Sequence, residues 1–243
     1  MIRNFNQFAI VLAALFLFSD YALSQSLITK LPSDGTAVKY DYNSKTVYGD
    51  GRVTKQKGIL TIRCVGKEKH KGAEHRVVEI HLDYSVLMNL PTELSMGTRF
   101  LIQEKDINNG KGLLENAKSV WSYSSFKTIG KKDKPTLSKR PLLLDRFQPK
   151  KEKPESLPQK TIATPIGKLK CKGTKDAFRH TPEFQKAADP NVHTLETYIN
   201  DQSPFGTVLW KSEVKYPEGF RDETTVQLKA IELNAKPKID PPD

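Results

Sequence analysis

The sequence predicts a mainly β protein: one curled antiparallel sheet, an open or half barrel, with one or two covering helices. Two observations carry this. Short segments with strict apolar–polar alternation recur along the 243 residues, the period-2 signature of strands with one covered face. Turn signals rich in Gly, Pro, Asn and Asp separate them, and only one stretch has a helical period. Eight or nine strands are expected, and so many in one domain should curl rather than stay flat.

The chain opens with Met1, Ile2 and Arg3, an apolar run from Phe8 to Phe18, and then Tyr21-Ala22-Leu23-Ser24. A charge, a short apolar run and a small-x-small ending describe a secretory signal peptide over residues 1–24. The run is shorter than the ~20 residues a membrane span needs. The expected product is exported, periplasmic or extracellular, and soluble after cleavage. Residues 25–234 then form a single β-rich domain, and residues 235–243, with Pro237, Pro241 and Pro242, read as a disordered tail.

After the turn Leu31-Pro32-Ser33-Asp34-Gly35, Val38, Tyr40 and Tyr42 alternate with Lys39 and Asp41. Residues 47–57 are polar and read as a short strand with a loop. Leu60, Ile62 and Cys64 share the face of the next strand. Lys71-Gly72 is the tip of a hairpin. The cleanest alternation follows, with Val78, Ile80, Leu82 and Tyr84 on one side and Glu79, His81 and Asp83 on the other, expected to be wet. Phe100 and Ile102 mark a further strand. Residues 113–123 carry the helical period in Leu113, Leu114, Ala117, Val120 and Trp121 and predict a covering helix.

Residues 127–153 hold ten of the basic residues, opposed only by Asp133, Asp145 and Glu152, in a chain of net charge +11. With Pro149, Pro154 and Pro158 this predicts a solvated, mobile excursion at about residues 127–160. A strand from about Thr161 to Cys171 comes next, followed by an insert over residues 178–192 with a helical turn near residues 183–188. Two strands at residues 194–199 and 207–214 flank the loop Ser203-Pro204-Phe205-Gly206. In the last strand the apolar phase slips from Val226, Leu228 and Ala230 to Ile231 and Leu233, which predicts a β-bulge.

The search for chemistry yields no catalytic residue, metal site or cofactor. The five histidines make no ligand spacing. Glu79, His81 and Asp83 share a strand face, which reads as polar surface. There is no Gly-x-Ser-x-Gly elbow and no phosphate loop. Cys64 and Cys171 either pair, as an exported protein permits, or serve as small buried hydrophobes.

What remains is the apolar face of the curled sheet, filled by its own side chains or lined for a lipid or other apolar small molecule. Its candidate lining is Tyr40, Tyr42, Phe100, Ile102, Tyr198, Phe205 and Trp210, with Trp121 on the covering helix. Alternatively, Lys131, Lys132, Lys134, Lys139 and Arg140 in the basic excursion dock on an anionic membrane or cell-envelope polymer. No nucleic-acid partner is expected, because the lysines lack interleaved aromatics for stacking on bases. An enzyme without a recognisable motif is the third class. The spacing says nothing of oligomeric state.

The segment Ala163-Thr164-Pro165-Ile166-Gly167-Lys168-Leu169-Lys170-Cys171, followed by the Ser-Pro-Phe-Gly loop and a return strand with Trp210, resembles the carboxy-terminal half of secreted proteins from planctomycete-type bacteria. There a "TPxGxxxC" strand precedes a "VPFG" hairpin; here Ser203 stands in place of the valine. More distantly, the chain is similar to periplasmic lipoprotein carriers of the LolA/LolB type. That resemblance implies an open antiparallel barrel with helices over its mouth, holding acyl chains, and no catalysis.

Overall fold

The computed structural model describes residues 27–87, 92–103, 105, 119–128, 131–132, 136–138, 154–180 and 189–238. Outside these lie the whole predicted signal peptide, residues 113–118 of the predicted helix, Lys134, Lys139 and Arg140 of the basic excursion, the predicted helical turn at residues 183–188, and residues 239–243 of the tail.

The described residues form one antiparallel sheet of twelve strands. They are β1 (Thr36–Val47), β2 (Val53–His70), β3 (Ala73–Leu87), β4 (Thr92–Ile102), β5 (Ser119–Thr128), β6 (Lys131–Lys132), β7 (Thr136–Ser138), β8 (Glu155–Thr164), β9 (Gly167–His180), β10 (Asn191–Ile199), β11 (Thr207–Lys215) and β12 (Arg221–Glu232). The order is β6-β5-β4-β3-β2-β1-β12-β11-β10-β9-β8, with β7 beside β5. The first and last long strands therefore pair at the centre, and two meanders run outward from them. The sheet is not closed into a barrel: among the described residues no ladder joins β8 to β5, β6 or β7.

Four expectations change. The stretches at residues 47–57 and 59–65 are one strand, β2, because its pairing with β1 continues from Val53 through Cys64. The strand read from Thr161 to Cys171 is a hairpin. Pro165 lacks the N–H that a ladder needs, the chain turns there, and Thr164 pairs with Gly167. Residues 119–123 of the predicted helix are strand: Ser119–Thr128 pairs with β4, Val120 opposite Phe100 and Trp121 opposite Arg99. Val-Trp-Ser-Tyr-Ser-Ser-Phe is β-branched, aromatic and alternating, so sheet pairing overrides the weak helical period. The basic segment, read as an excursion, contributes Lys131–Lys132 and Thr136–Ser138 to the sheet edge beside β5.

The predicted bulge is present. Lys39 pairs with Ala230 and Tyr40 with Leu228, so Lys229 is the additional residue and the phase of β12 flips around it. The flip keeps Leu228 against Tyr40 and Ile231 against Val38 on the same face.

Directly paired residues of antiparallel strands share a face. One row crosses seven strands as Leu94, Tyr84, Gly58, Tyr42, Val226, Trp210 and Thr197. Gly58 sits between the Tyr42 and Tyr84 rings, whose centroids are 6.1 Å apart. A β-carbon there would lie 2.2 Å from the Asp83 carbonyl oxygen, so only glycine lets β2 and β3 approach this closely. Leu60, Ile62, Cys64, Val78, Leu82, Phe100 and Ile102 complete the buried apolar face of the amino-terminal meander.

In the carboxy-terminal meander the core lies on both faces. Trp210 shares the common face, while Leu209 pairs with Tyr198 on the other. There the β8–β9 hairpin packs Ile162, Leu169 and Cys171 into the same core. It reaches far enough for the Gln227 side-chain amide of β12 to donate to the Ala163 carbonyl at 3.1 Å.

Candidate ligand-facing sheet face

The apolar face is built from strands whose alternation sends every second side chain inward. Seven of the eight residues named from sequence for its lining are buried in one cluster: Tyr40, Tyr42, Phe100, Ile102, Tyr198, Phe205 and Trp210. Tyr198 enters from the opposite face of β10, beside Leu209, and so is separated from the row through Tyr42 and Trp210. The backbone of Trp121 is in β5 rather than on a covering helix. The largest fully buried side chains are Trp210, Tyr40, Phe100 and Phe205. They form a packed floor, and the half-buried side chains packed against the cluster include Ile80 and Met96 on β3 and β4; the sequence marked Ile80 as an inward strand position but neither residue as lining.

The Ser203-Pro204-Phe205-Gly206 loop is held by a compact polar lattice. Asn200 N–H donates to the Gly206 carbonyl at 2.9 Å and Gly206 N–H to that of Ser203 at 2.9 Å. Buried Ser203 donates from Oγ to the Thr207 carbonyl at 2.7 Å, and the Tyr40 hydroxyl donates to the same oxygen at 3.3 Å. Burial pushes the Tyr40 phenol far above its ordinary range, with the Ser203 hydrogen bond acting weakly the other way. Ser203 and Tyr40 are thus committed to holding the loop.

The chain just after the predicted leader docks on this loop. Ile28 bridges to Gly206, Thr29 N–H donates to the Phe205 carbonyl at 3.0 Å, and Leu27 is fully buried. Gly206 has φ +88°, and a β-carbon there would lie 1.9 Å from Thr29 Oγ1. Glycine meets both demands, the left-handed backbone and the close approach.

The other face of β3 corrects a second expectation. Glu79 and His81 are buried, not wet, with relative exposures of 0% and 1%. Arg99, which pairs with Glu79 across the ladder, lies 3.5 Å from its carboxylate and also contacts Glu68. The covering comes from the tail read as disordered. Ala235 N–H donates to the Gly35 carbonyl at 2.7 Å. Lys238 N–H then donates to Glu79 at 2.9 Å, and Lys238 Nζ lies 3.4 Å from His81 Nδ1 and 3.6 Å from Asp83. Carboxylates on β3 attract the tail lysine, which sets residues 235–238 against this face.

Burial holds the His81 imidazole down to about 4, Lys238 and Arg63 push the same way, and Asp83 opposes them. A neutral ring then accepts from Lys238 at Nδ1 and donates from Nε2 toward Ser95 Oγ, 3.3 Å away, and Asp83, 3.6 Å away. The signal available in sequence was Arg99, a cation directly before the apolar run Phe100-Leu101-Ile102. Among the described residues no group of three His, Cys, Asp or Glu side chains is placed to hold a metal.

Cys64 and Cys171 are free and buried. Burial pushes the Cys64 thiol up to about 11 despite Arg76 Nη2 at 2.9 Å from its sulfur, and burial also raises Cys171. Of the basic residues proposed to meet an anionic surface, the described Lys131 and Lys132 are the whole of β6, paired with Thr128 and Lys127.

No family model matches the chain, and no curated protein sequence matches it. Solved structures that align with it include a protein from Bacteroides fragilis described as exported, with a YmcC-like fold. That alignment has 13% identity and TM-score 0.35, and covers 85% of this chain and 99% of that one. A β-barrel-like protein of the domain of unknown function DUF1849 from Brucella abortus aligns at 10% identity and TM-score 0.35, over 85% and 99% of the two chains. A protein from Parabacteroides distasonis described as a lipoprotein aligns at 10% identity and TM-score 0.33, over 84% and 99%. Neither the planctomycete group nor the LolA/LolB carriers is among these three. At such TM-scores the fold rests on the chain's own strand register.

Proposed function

We propose that this chain is an exported, non-catalytic binding protein that holds a lipid or other apolar small molecule against the apolar face of its open sheet. The observation that carries the reading is that face itself: a continuous apolar surface from β4 to β11 on a sheet whose edges are not joined. A closed barrel of this kind would be filled by its own side chains, whereas an open sheet leaves a side from which a guest can reach the lining. Trp210, Tyr40 and Phe100 form the floor. The half-buried Ile80 and Met96 are the side chains that give way, methionine being the most adaptable of them.

The groups that would otherwise suggest chemistry have structural work. Ser203 holds the loop, His81 sits in a buried ion cluster, and both thiols are held in the neutral, unreactive form. Export rests on the amino-terminal apolar run.

Native mass spectrometry of the chain purified without denaturant tests the reading. The expected spectrum carries one apolar adduct that organic extraction removes, and re-addition of a fluorescent fatty acid should change tryptophan emission. An adduct-free spectrum together with no binding of the fatty acid would overturn the proposal.

A further inference from the structure

The β8–β9 hairpin carries a surface that neither the core nor the apolar face uses. Its turn is Thr164-Pro165-Ile166-Gly167, closed by Thr164 Oγ1 donating to the Gly167 carbonyl at 2.8 Å. Ile166 at the tip is 41% exposed, one of few large apolar side chains on the described surface. Behind it β9 alternates. Leu169 and Cys171 are buried, while Lys168, Lys170 and Lys172 all point the other way and are exposed. At 3.3–3.4 Å per residue the three ammonium-bearing positions span roughly 13 Å along one strand face. Their β8 partners on that face, Ala163 opposite Lys168 and Thr161 opposite Lys170, are exposed and uncharged.

Some of the other surface lysines are neutralised locally, whereas Lys55, Lys57 and Lys69 on β2 are exposed without a neighbouring carboxylate in ion-pair range among the described residues. Lys39, Lys45, Lys67, Lys215 and Lys229 each lie within ion-pair distance of a carboxylate. Lys168, Lys170 and Lys172 have no ion pair among the described residues. The hairpin is anchored from behind, by Gln227 on Ala163 and by the Asn200 side-chain amide donating to the Lys170 carbonyl at 2.9 Å. The row is therefore presented on a fixed support.

We propose that the tip of the β8–β9 hairpin docks on an anionic lipid bilayer, with Lys168, Lys170 and Lys172 meeting the headgroups and Ile166 entering the interface. An unpaired cationic row complements an anionic surface, and an apolar tip beside it complements the acyl boundary beneath. A nucleic-acid strand fits less well, because the aromatic ring on this face of β9, Phe178, is half-buried and already stacked on His193, with centroids 4.7 Å apart. Each lysine near an anionic surface favours binding roughly fivefold, so the row supplies about 100-fold in partition. By register the row continues the sheet face of Trp210 and Thr197, since Thr197 pairs with Thr174, but none of its residues belongs to the apolar cluster, so its test and the adduct test fail independently.

Co-sedimentation of the full chain with vesicles containing about 30 mol % phosphatidylglycerol, against pure phosphatidylcholine vesicles, tests the proposal. The wild-type chain should bind the anionic vesicles and release as salt is raised. K168Q/K170Q/K172Q should lose about 100-fold in partition, and I166S several-fold with an unchanged salt dependence. K55Q/K57Q/K69Q, which removes equal charge from exposed positions on β2, should retain binding. Absence of wild-type binding, equal loss in the β2 triple variant, or loss on substitution of Lys131 and Lys132 instead of the hairpin row would each overturn it. Far-ultraviolet circular dichroism and urea midpoints like those of the wild type establish that the variants are folded.

Discussion

The two meanders that flank the β1–β12 pair use the same ladder and bury it differently. In β1–β4 most buried apolar side chains lie on one face, with Ala37, Val77 and Leu101 buried on the other, which is closed over β3 by residues 235–238 and an ion cluster. Along the first half of β11 both faces are covered, one by the shared core around Trp210 and one by the β8–β9 hairpin, while β9 and β12 alternate. The burial patterns record the difference. β1 alternates from Val38 to Asn43, whereas β11 opens with four consecutive buried residues, Thr207-Val208-Leu209-Trp210. A strand covered on both faces has no wet side on which to place polar residues, so it becomes a continuous apolar run. One consequence is that the doubly covered strand should be less able to collapse around a deletion.

The largest test of that difference is a matched pair of truncations. Trp210→Ala should cost about 5 kcal/mol and Phe100→Ala about 3 kcal/mol, read as the change in urea unfolding free energy, because a site packed from both sides relaxes least. Equal losses would remove the distinction.

Acid should separate the halves next. The unfolded imidazole of His81 protonates near 6.5 and the folded one near 4. Between those values the unfolded chain binds the additional proton, so this contribution to stability falls as pH drops through the window, by about 2–3 kcal/mol in all. In the other meander, burial raises the Asp222 carboxyl, opposed by its hydrogen bonds with Thr46 and Tyr216. There the folded chain takes up the proton first, and stability rises as pH falls from neutrality. Urea midpoints against pH should lose the acid-side fall in His81→Gln and lose the opposing rise in Asp222→Asn. Identical profiles for the two variants would show that the halves do not differ in this respect.

A smaller effect is expected where the amino-terminal segment meets the loop. Gly206→Ala should destabilise by about 2 kcal/mol, from the positive φ and the contact with Thr29. Combining it with Thr29→Ala should restore part of the loss, a coupling readable by a double-mutant cycle. The smallest effect belongs to the tail. Ending the chain after Asn234 should cost about 1–2 kcal/mol, by leaving the buried Glu79 carboxylate without its Lys238 amide donor, and hydrogen exchange should rise in β3 more than in β11.

The one-faced half was the more legible in sequence. Val78, Ile80, Leu82 and Tyr84 state their register outright, and the phase slip read between Ala230 and Ile231 announced a bulge in β12 that the ladder places at Lys229. The hairpin inside Thr161–Cys171 was missed because its turn is short: the apolar phase does slip between Ile162 or Ile166 and Leu169 or Cys171, but only the pairing of Ile162 with Leu169 shows that the chain has reversed. β5 was missed because Ala117, Val120 and Trp121 also satisfy a helical spacing, and the choice between the two periods is made by the neighbouring β4. The seven described lining residues were recognised as apolar core, but which of them form the floor depends on ladder partners up to four strands away. The burial of Glu79 and His81 depended on a tail whose docking follows from charges more than 150 residues distant, Lys238 lying 159 positions from Glu79.

The pairing of β1 with β12 has a kinetic meaning. Lys39 meets Glu232, 193 positions later, so the seam at the centre of the sheet is among the last contacts the chain can make. Loop closure on that scale slows folding relative to a chain dominated by local contacts. Until the last strand arrives, β1 is an open edge on a half-built sheet, able to pair with the β12 of another copy. A chain synthesised from its amino terminus stays in that state until its last strand has been made. Its survival then depends on how fast its final segment is delivered.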